Sequence, residues 1–219
     1  MLIKELGTAG INAKNLSGDT PLMLAVKNYN SDVVKVLLEN KADITLRNKH
    51  NETALSLSAA GFNPEIVKIL FEAEDATRKQ DILDGKITFG VSLGGWWGKF
   101  NLGKTLLDCA VTGWIHTIEQ DEKKYEIIDY LLEKGCKVNA KGEYGNTALI
   151  TAIACSNSND EDISYDDNYM SYMINKLLEA GAEVNSQDFR GITALICAVR
   201  RLSPELINIL LENGANVNL

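Results

Sequence analysis

Side chains that commonly carry out chemistry are few and scattered in this sequence. The only two histidines, His50 and His116, lie far apart, and the four cysteines form no Cys-x-x-Cys pair. Metal ligands must cluster, and phosphate-binding loops need glycines between a strand and a helix. The glycines between positions 90 and 98 fall instead within a segment that alternates like a strand, and no serine lies in a nucleophile elbow. We therefore predict no enzyme, no metal site and no cofactor.

Carboxylates are concentrated in one short segment. Positions 160–167 hold five acidic residues and no basic one, in a chain whose net charge is −8. Asn157, Asn159 and Glu161 alternate as calcium ligands can, but the glycine and the terminal glutamate of a calcium-binding loop are missing. We predict a solvated acidic loop. The acidic balance also argues against nucleic-acid binding, which needs a basic stripe.

The cysteines and the hydropathy indicate the compartment. Cys109 and Cys197 occupy the same position, four residues after the threonine of a pattern that recurs along the chain, and Cys136 stands where alanine stands at positions 182 and 215. Small buried hydrophobes are the simplest interpretation, which fits a reducing environment. No segment reaches the ~18 apolar residues of a membrane helix, and no secretion signal is recognisable. We expect a cytoplasmic monomer without membrane insertion.

A short pattern recurs five times along the chain. Each copy opens with threonine followed by small and apolar residues, at Thr20–Ala25, Thr53–Ser58, Thr105–Ala110, Thr147–Ala152 and Thr193–Ala198. A second apolar block ending in glutamate follows each one, at Leu37–Glu39, Leu70–Glu72, Leu131–Glu133, Leu177–Glu179 and Leu210–Glu212. In the regular copies these spacings define a repeat of 33 residues. Self-similarity of this period indicates stacked structural repeats.

Each repeat reads as two short helices joined by a turn. Thr20 followed by Pro21 suits an N-cap and first helical position, and Pro64 and Pro204 open the second helices in the same way. Glycines follow the glutamate blocks of three repeats, at Gly135, Gly181 and Gly214. Glycine at this place favours a left-handed helix end. The pattern predicts an all-α solenoid of five helix pairs.

These motifs identify the chain as resembling the ankyrin-repeat family. Its Thr-Pro-Leu-His-x-Ala signature matches Thr20–Ala25 except at the histidine, and the segment Glu179–Asn185 is similarly close to the family's repeat ending. We place the repeats of the single domain 1–219 at about 11–43, 44–74, 101–138, 139–184 and 185–219. Residues 1–10 are predicted to be an N-terminal capping helix; a chain cut from a longer array is the alternative.

The first of three insertions, at residues 75–100, is predicted to hold a β-hairpin. Ile87–Leu93 alternates apolar and polar residues, and Gly94-Gly95 suits a two-residue turn. In that register Phe89 opposes Phe100 on one apolar face, while Trp97 lies on the other. Either the apolar face packs on neighbouring repeats as an enlarged structural finger, or part of it stays exposed as a binding anchor together with Trp97.

The other two insertions separate the first and second helices of repeats three and four. They lie around residues 114–124 and 156–168, and we predict two neighbouring loops.

The resemblance implies where a partner would bind. In this family the β-turn fingers and first helices form a concave face that receives protein partners. Mapped onto this chain, its variable sites include residues suited to anchor an interface. The predicted protein-binding residues are Lys49, His50, Trp97, Glu143, Tyr144, Phe189, Arg190, Arg200 and Arg201.

Two functions follow from this implied face. The first is a non-catalytic protein-interaction module whose partner is a protein of unknown identity. The alternative is a stand-alone acidic inhibitor, such as an immunity-type protein that blocks one enzyme or toxin, which would prefer a basic partner.

Overall fold

The computed structural model describes residues 10–61, 63–90, 104–112, 118–155 and 167–219. Within these ranges the chain forms eleven helices and no strand longer than a single bridge. The helices, in chain order, are α1 Pro21–Lys27, α2 Ser31–Glu39, α3 Ala54–Ala60, α4 Pro64–Ala73, α5 Ala76–Leu83, α6 Leu106–Thr112, α7 Ile118–Glu133, α8 Ala148–Cys155, α9 Asp167–Glu179, α10 Ala194–Arg200 and α11 Pro204–Glu212.

Ten of these helices form the five predicted pairs, each with a first and a second member. The first helices α1, α3, α6, α8 and α10 contact one another in sequence. The second helices form another layer in which neighbours contact each other; for example, α2 contacts α4, and α9 contacts α11. Apolar side chains such as Leu149 are buried between the layers. The chain is therefore a solenoid whose core is shared between repeats, so no single repeat buries its own apolar face.

The predicted helix starts are confirmed by their capping bonds. The Thr20 hydroxyl oxygen accepts a hydrogen bond from the Met23 amide, and the Thr53 and Thr193 side chains cap α3 and α10 in the same way. Pro64 and Pro204 occupy the first turns of α4 and α11. These caps satisfy amides that have no partner within the helix.

The predicted left-handed ends of the second helices are also confirmed. Gly135, Gly181 and Gly214 have φ of 88°, 87° and 85°, where a side chain would be strained. Lys41 occupies the same place after α2 with φ of 65°. Glu74, the equivalent residue after α4, is instead extended, with φ of −67° and ψ of 148°.

That departure at Glu74 leads into a helix that the sequence did not predict. The Asp75 side chain caps α5, and Arg78 in its first turn forms an ion pair with the buried Glu74 at 2.7 Å. At the other end of α5 the Leu83 carbonyl accepts from the Lys137 amide, 2.9 Å away. The inserted helix thus connects the end of repeat two to the loop that follows α7.

The predicted hairpin register is wrong in the part that the structure describes. Phe89 pairs with Lys104, whereas the predicted register requires Phe100 at that place: each backbone amide donates to the other's carbonyl, at 2.8 and 2.9 Å. The physical reason is that a shift by an even number of residues keeps the same side chains on the same face, so alternation alone cannot fix the register. The predicted turn at Gly94-Gly95 and Trp97 lie outside the described residues.

The insertion in repeat three is also not the loop we expected, because much of it is helical. α7 has 16 residues against 9 in α2. In repeat four α9 has 13 residues and begins at Asp167, while the acidic positions 160–162 and 166 lie outside the described residues. Most of the predicted capping helix, residues 1–9, also lies outside the described residues. Its last residue, Gly10, is helical together with Ile11.

The described cysteines have the role predicted for them. Cys109, Cys136 and Cys197 are buried, and none of the three forms a disulfide. Burial raises the pKa of the Cys136 thiol to about 12, so this side chain stays a neutral thiol at physiological pH.

Candidate protein-binding surface

One side-chain oxygen closes each of three finger turns. The Asn48 Oδ1 atom accepts from the amides of His50 and Glu52, at 2.9 and 3.0 Å. Asn15 and Asp188 make the same pair of bonds in repeats one and five. Such turns hold the backbone without help from a sheet. We call the segments 14–19, 47–52, 141–146 and 187–192 the finger set.

Backbone bonds join neighbouring fingers into a row. The Lys49 amide donates to the Ser17 carbonyl at 3.1 Å, and the Phe189 amide donates to the Tyr144 carbonyl at 3.0 Å. Between these two junctions, the Gly90 amide of the inserted segment donates to the Asn51 carbonyl at 2.9 Å. A side chain at Gly90 would not fit, because its Cβ atom would overlap the His50 carbonyl oxygen. The inserted segment therefore continues the row of fingers.

Two acidic residues of the finger set, Asp19 and Glu52, are buried. The Asn48 side-chain amide donates to Asp19 Oδ1 at 2.8 Å and to Glu52 Oε2 at 2.7 Å, linking the first two repeats. Lys27 of α1 also forms an ion pair with Asp19 at 2.7 Å. Burial opposes ionisation of Asp19, but the bonds from Asn48 and Lys27 outweigh it and lower the pKa of the carboxyl. Asp19 and Glu52 therefore hold the fingers together and are not part of the exposed surface.

Two aromatic side chains of adjacent fingers face solvent. Tyr144 is 43% exposed and Phe189 is 77% exposed. The Phe189 ring lies against Gly145, whose φ is +78°: a Cβ atom on Gly145 would stand 2.6 Å from the ring. The backbone bond between these fingers and the contact at Gly145 hold Phe189 in place although most of its surface is accessible.

The other predicted residues lie at several depths. Lys49, His50, Glu143 and Arg200 are exposed, and Arg201 is half-buried. Arg190 is exposed while its guanidinium bonds the buried Asp188 carboxylate at 3.3 Å. Trp97 lies outside the described residues. The structure thus presents most of the predicted set on the fingers and at the ends of first helices.

A cleft between α1 and α3 was missed by the sequence reasoning. It has a volume of about 200 Å³ and is lined by Lys27, Tyr29, Glu52, Leu57 and Gly90 among others. Tyr29 is 61% exposed with a φ of 54°, and Leu202 has the same backbone conformation at the equivalent place in repeat five. The sequence shows that Tyr29 and Leu202 share this turn position, and of the two Tyr29 lines the cleft. The described residues include no group of three histidine, cysteine or acidic side chains able to hold a metal ion.

Comparisons with known proteins agree with this architecture. A family model described as "Ankyrin repeats (3 copies)" matches residues 1–81, and one described as "Ankyrin repeat" matches residues 190–219. A solved ankyrin repeat domain from Acinetobacter baumannii AYE is similar, with a TM-score of 0.67 and 26% identity. The alignment covers 98% of this chain and 92% of that one. No curated protein matches the chain.

The chain belongs to the ankyrin-repeat family. Ankyrin repeats are generally non-catalytic protein–protein interaction modules. Across the residues that the structure describes, no helix is both long and apolar enough to cross a membrane.

Proposed function

We propose that this protein binds a protein partner on the surface formed by its fingers and first helices, without catalysing a reaction on it. The observation that carries the proposal is the exposed pair of rings, Tyr144 and Phe189, on fingers joined by a backbone bond. Large aromatic side chains that are already held in place lose little entropy on binding and often dominate interfaces. A surface of this kind is suited to recognition.

The row of fingers gives the proposed site its rigidity. Asn15, Asn48 and Asp188 close the individual turns, and the bonds between neighbouring fingers join them into one strip. Partner-facing residues such as Lys49 and Arg190 therefore occupy places fixed by the backbone. Binding an extended protein surface across several repeats requires little rearrangement of such a strip. Inhibition of a single enzyme would use this same surface and differs only in the identity of the partner.

A matched pair of glycine substitutions tests the proposal. Gly145 and Gly191 occupy the same finger position, with φ of +78° and +76°. A Cβ atom added at Gly145 would lie within 4 Å of Phe189, whereas one added at Gly191 would meet no described atom within that distance. Gly145→Ala should therefore displace the Phe189 ring, and Gly191→Ala should cause the same backbone strain without moving it.

Binding kinetics against the partner captured from the native cell give the readout. We expect Gly145→Ala and Tyr144→Ala to raise the dissociation rate, each at a cost of roughly 1–3 kcal/mol. Gly191→Ala should bind like the wild type once its folding has been verified by circular dichroism. Wild-type binding by both Gly145→Ala and Tyr144→Ala would show that the partner docks elsewhere.

A further inference from the structure

Charge is distributed unequally between the two helix layers. The five second helices α2, α4, α7, α9 and α11 contain fourteen acidic and five basic residues. The five first helices contain one acidic residue, Asp108, and two basic residues, Lys27 and Arg200. Asp108 is fully buried, so it adds no accessible charge to that layer. The net charge of −8 is thus a property of the second-helix side and a poor description of the other.

The acids of the finger set are mostly hidden. Asp19, Glu52 and Asp188 are all buried and accept hydrogen bonds within the fingers. Glu143 is the only exposed acidic residue in these four segments. The finger set therefore shows solvent little of the negative charge that its composition suggests.

The bases of the finger set are mostly accessible. Lys14, Lys49 and Lys141 are exposed, Arg47 is half-buried, and His50 is exposed beside Lys49. Arg190 is also exposed, but its charge is already paired with the Asp188 carboxylate. Lys14, Arg47 and Lys141 occupy one equivalent position in three repeats. Lys14 and Lys141 each direct the ammonium group to a carbonyl oxygen of the next finger, at 2.8 and 3.1 Å. A neutral carbonyl leaves the positive charge of each ammonium uncompensated.

We infer that the finger surface binds an acidic segment of the partner protein, an inference that rests on the function proposed above. Its carboxylates would pair with the accessible cations of the finger set and with Arg200. Its apolar side chains would contact Leu16, Tyr144 and Phe189, which alternate with those cations along the row. Complementary potentials favour such an encounter and set its orientation. The net charge of the chain alone would have suggested a basic partner.

A peptide fits this surface better than a nucleic acid does. Exposed apolar groups lie between the cations, and Leu16 is 92% accessible. A polynucleotide presents closely spaced phosphates that require a continuous basic stripe. A polynucleotide would also extend beyond the fingers onto other parts of the molecule, whose net charge of −8 would repel its phosphates. A short peptide segment that mixes acidic and apolar side chains would contact only the fingers, where exposed cations and apolar side chains alternate.

Two variants of equal charge separate the face from the total charge. In the finger variant, Lys14, Lys49, Lys141 and Arg200 are changed to Gln. The control variant changes four lysines that lie in second helices or just after them to Gln: Lys35, Lys41, Lys68 and Lys123. Each variant loses four positive charges, so non-specific effects of net charge are the same. Lys49→Glu alone serves as a further test if the finger variant melts early, because no described residue bonds that ammonium group.

The probe is a displayed library of random peptides about 16 residues long, which can extend over about 50 Å. Selection on the wild type should enrich peptides with net negative charge and apolar residues. Enriched peptides should lose at least about tenfold in affinity for the finger variant and keep it for the control, with a loss that shrinks at high salt. Neutral or basic winners, no enrichment of acidic over basic peptides, or equal binding to both variants would overturn the inference.

Two further readouts separate this inference from the proposed function. Selected peptides that lose affinity for Tyr144→Ala, whatever their charge, would support the proposed surface. Their charge then decides only whether the partner segment is acidic. Winners that bind Tyr144→Ala and Gly145→Ala normally contradict the surface itself. A labelled single-stranded DNA oligonucleotide is titrated in parallel. If the wild type binds this DNA and the finger variant does not, the cations bind nucleic acid and the acidic-peptide inference is overturned.

Discussion

At the scale of single residues, Asp108 is an acidic side chain that is bonded inside the core of the protein. The side chain is fully buried in α6, where the Oδ2 atom accepts from the amide and the hydroxyl of Thr105, both at 2.9 Å. It occupies the signature position of histidine in the repeat motif. Burial raises the pKa of this carboxyl, although the Thr105 bonds and nearby Lys104 oppose that effect. Ionised Asp108 is thus less favoured in the folded protein than in the unfolded chain.

This residue predicts a particular dependence of stability on pH. A raised folded-state pKa means that the stabilising contribution of Asp108 is complete below its ordinary value of 3.8 and is lost as the pH rises through the folded value. The stability of the wild type relative to Asp108→Asn should therefore fall as the pH rises from about 4 towards 7. The fall should be about 1.4 kcal/mol for every tenfold difference in acid dissociation constant between the folded and unfolded states. Urea unfolding at several pH values measures this difference; a pH-independent difference would show that the carboxyl titrates normally.

At the scale of elements, α5 is held by a charged cluster around Glu72. The Glu72 carboxylate accepts from Lys79 of the inserted helix, and from Lys134 and Tyr130 at the end of repeat three, at 2.6–3.1 Å. Bonds from Lys134 and then Lys79 lower the pKa of Glu72 to about 2. One half-exposed side chain thus joins the inserted helix to two repeats.

Glu72→Gln should weaken this junction by a modest amount. Because the group is 51% exposed, solvent screens the attraction, and we expect a loss on the order of 1 kcal/mol at pH 7. For a chain of this size that corresponds to a decrease in Tm of roughly 2–4 °C. The lowered pKa means that this contribution is present above the ordinary value of 4.5 and is lost as the pH falls towards 2.

Glu133→Gln provides the control for thermal melting. Glu133 is an exposed acid of α7 that bonds no described residue, so its substitution should leave the Tm nearly unchanged. The Glu72 effect should also fade at high salt. Equal Tm values for the two variants at pH 7 and low salt would mean that the cluster does not stabilise the junction.

Local signals predicted the regular elements, whereas the inserted elements depend on distant contacts. Thr20 determines a helix start through its side-chain hydroxyl, and Gly181 determines a helix end through its left-handed backbone conformation, so the sequence identifies both. Helix α5 has only eight residues, and its last carbonyl is satisfied by Lys137, far along the chain. The pairing of Phe89 with Lys104 depends on contacts that a period-two pattern does not encode.

The candidate binding surface was predictable to the same extent. Tyr144 and Phe189 could be placed on the fingers because the repeat register fixes their positions. The burial of Asp19 and Glu52 could not, since it results from a bond network that converges on Asn48. The distribution of charge between the layers also requires knowing which acids are buried.

For the molecule as a whole, the solenoid gives its two sides different properties. The second helices form an acidic layer, while the fingers and first helices form a row that carries exposed aromatic and basic side chains. The central claim is that partner binding uses the finger side.

Site-specific photo-crosslinking in the native cell tests that claim most directly. A photoreactive phenylalanine analogue is placed at Tyr144 on a finger or at Val36 on α2, two positions of nearly equal exposure at 43% and 44%. We predict that illumination yields a discrete protein adduct from position 144 and none from position 36. An adduct formed from position 36 but not from position 144 would contradict the account and assign binding to the second-helix side.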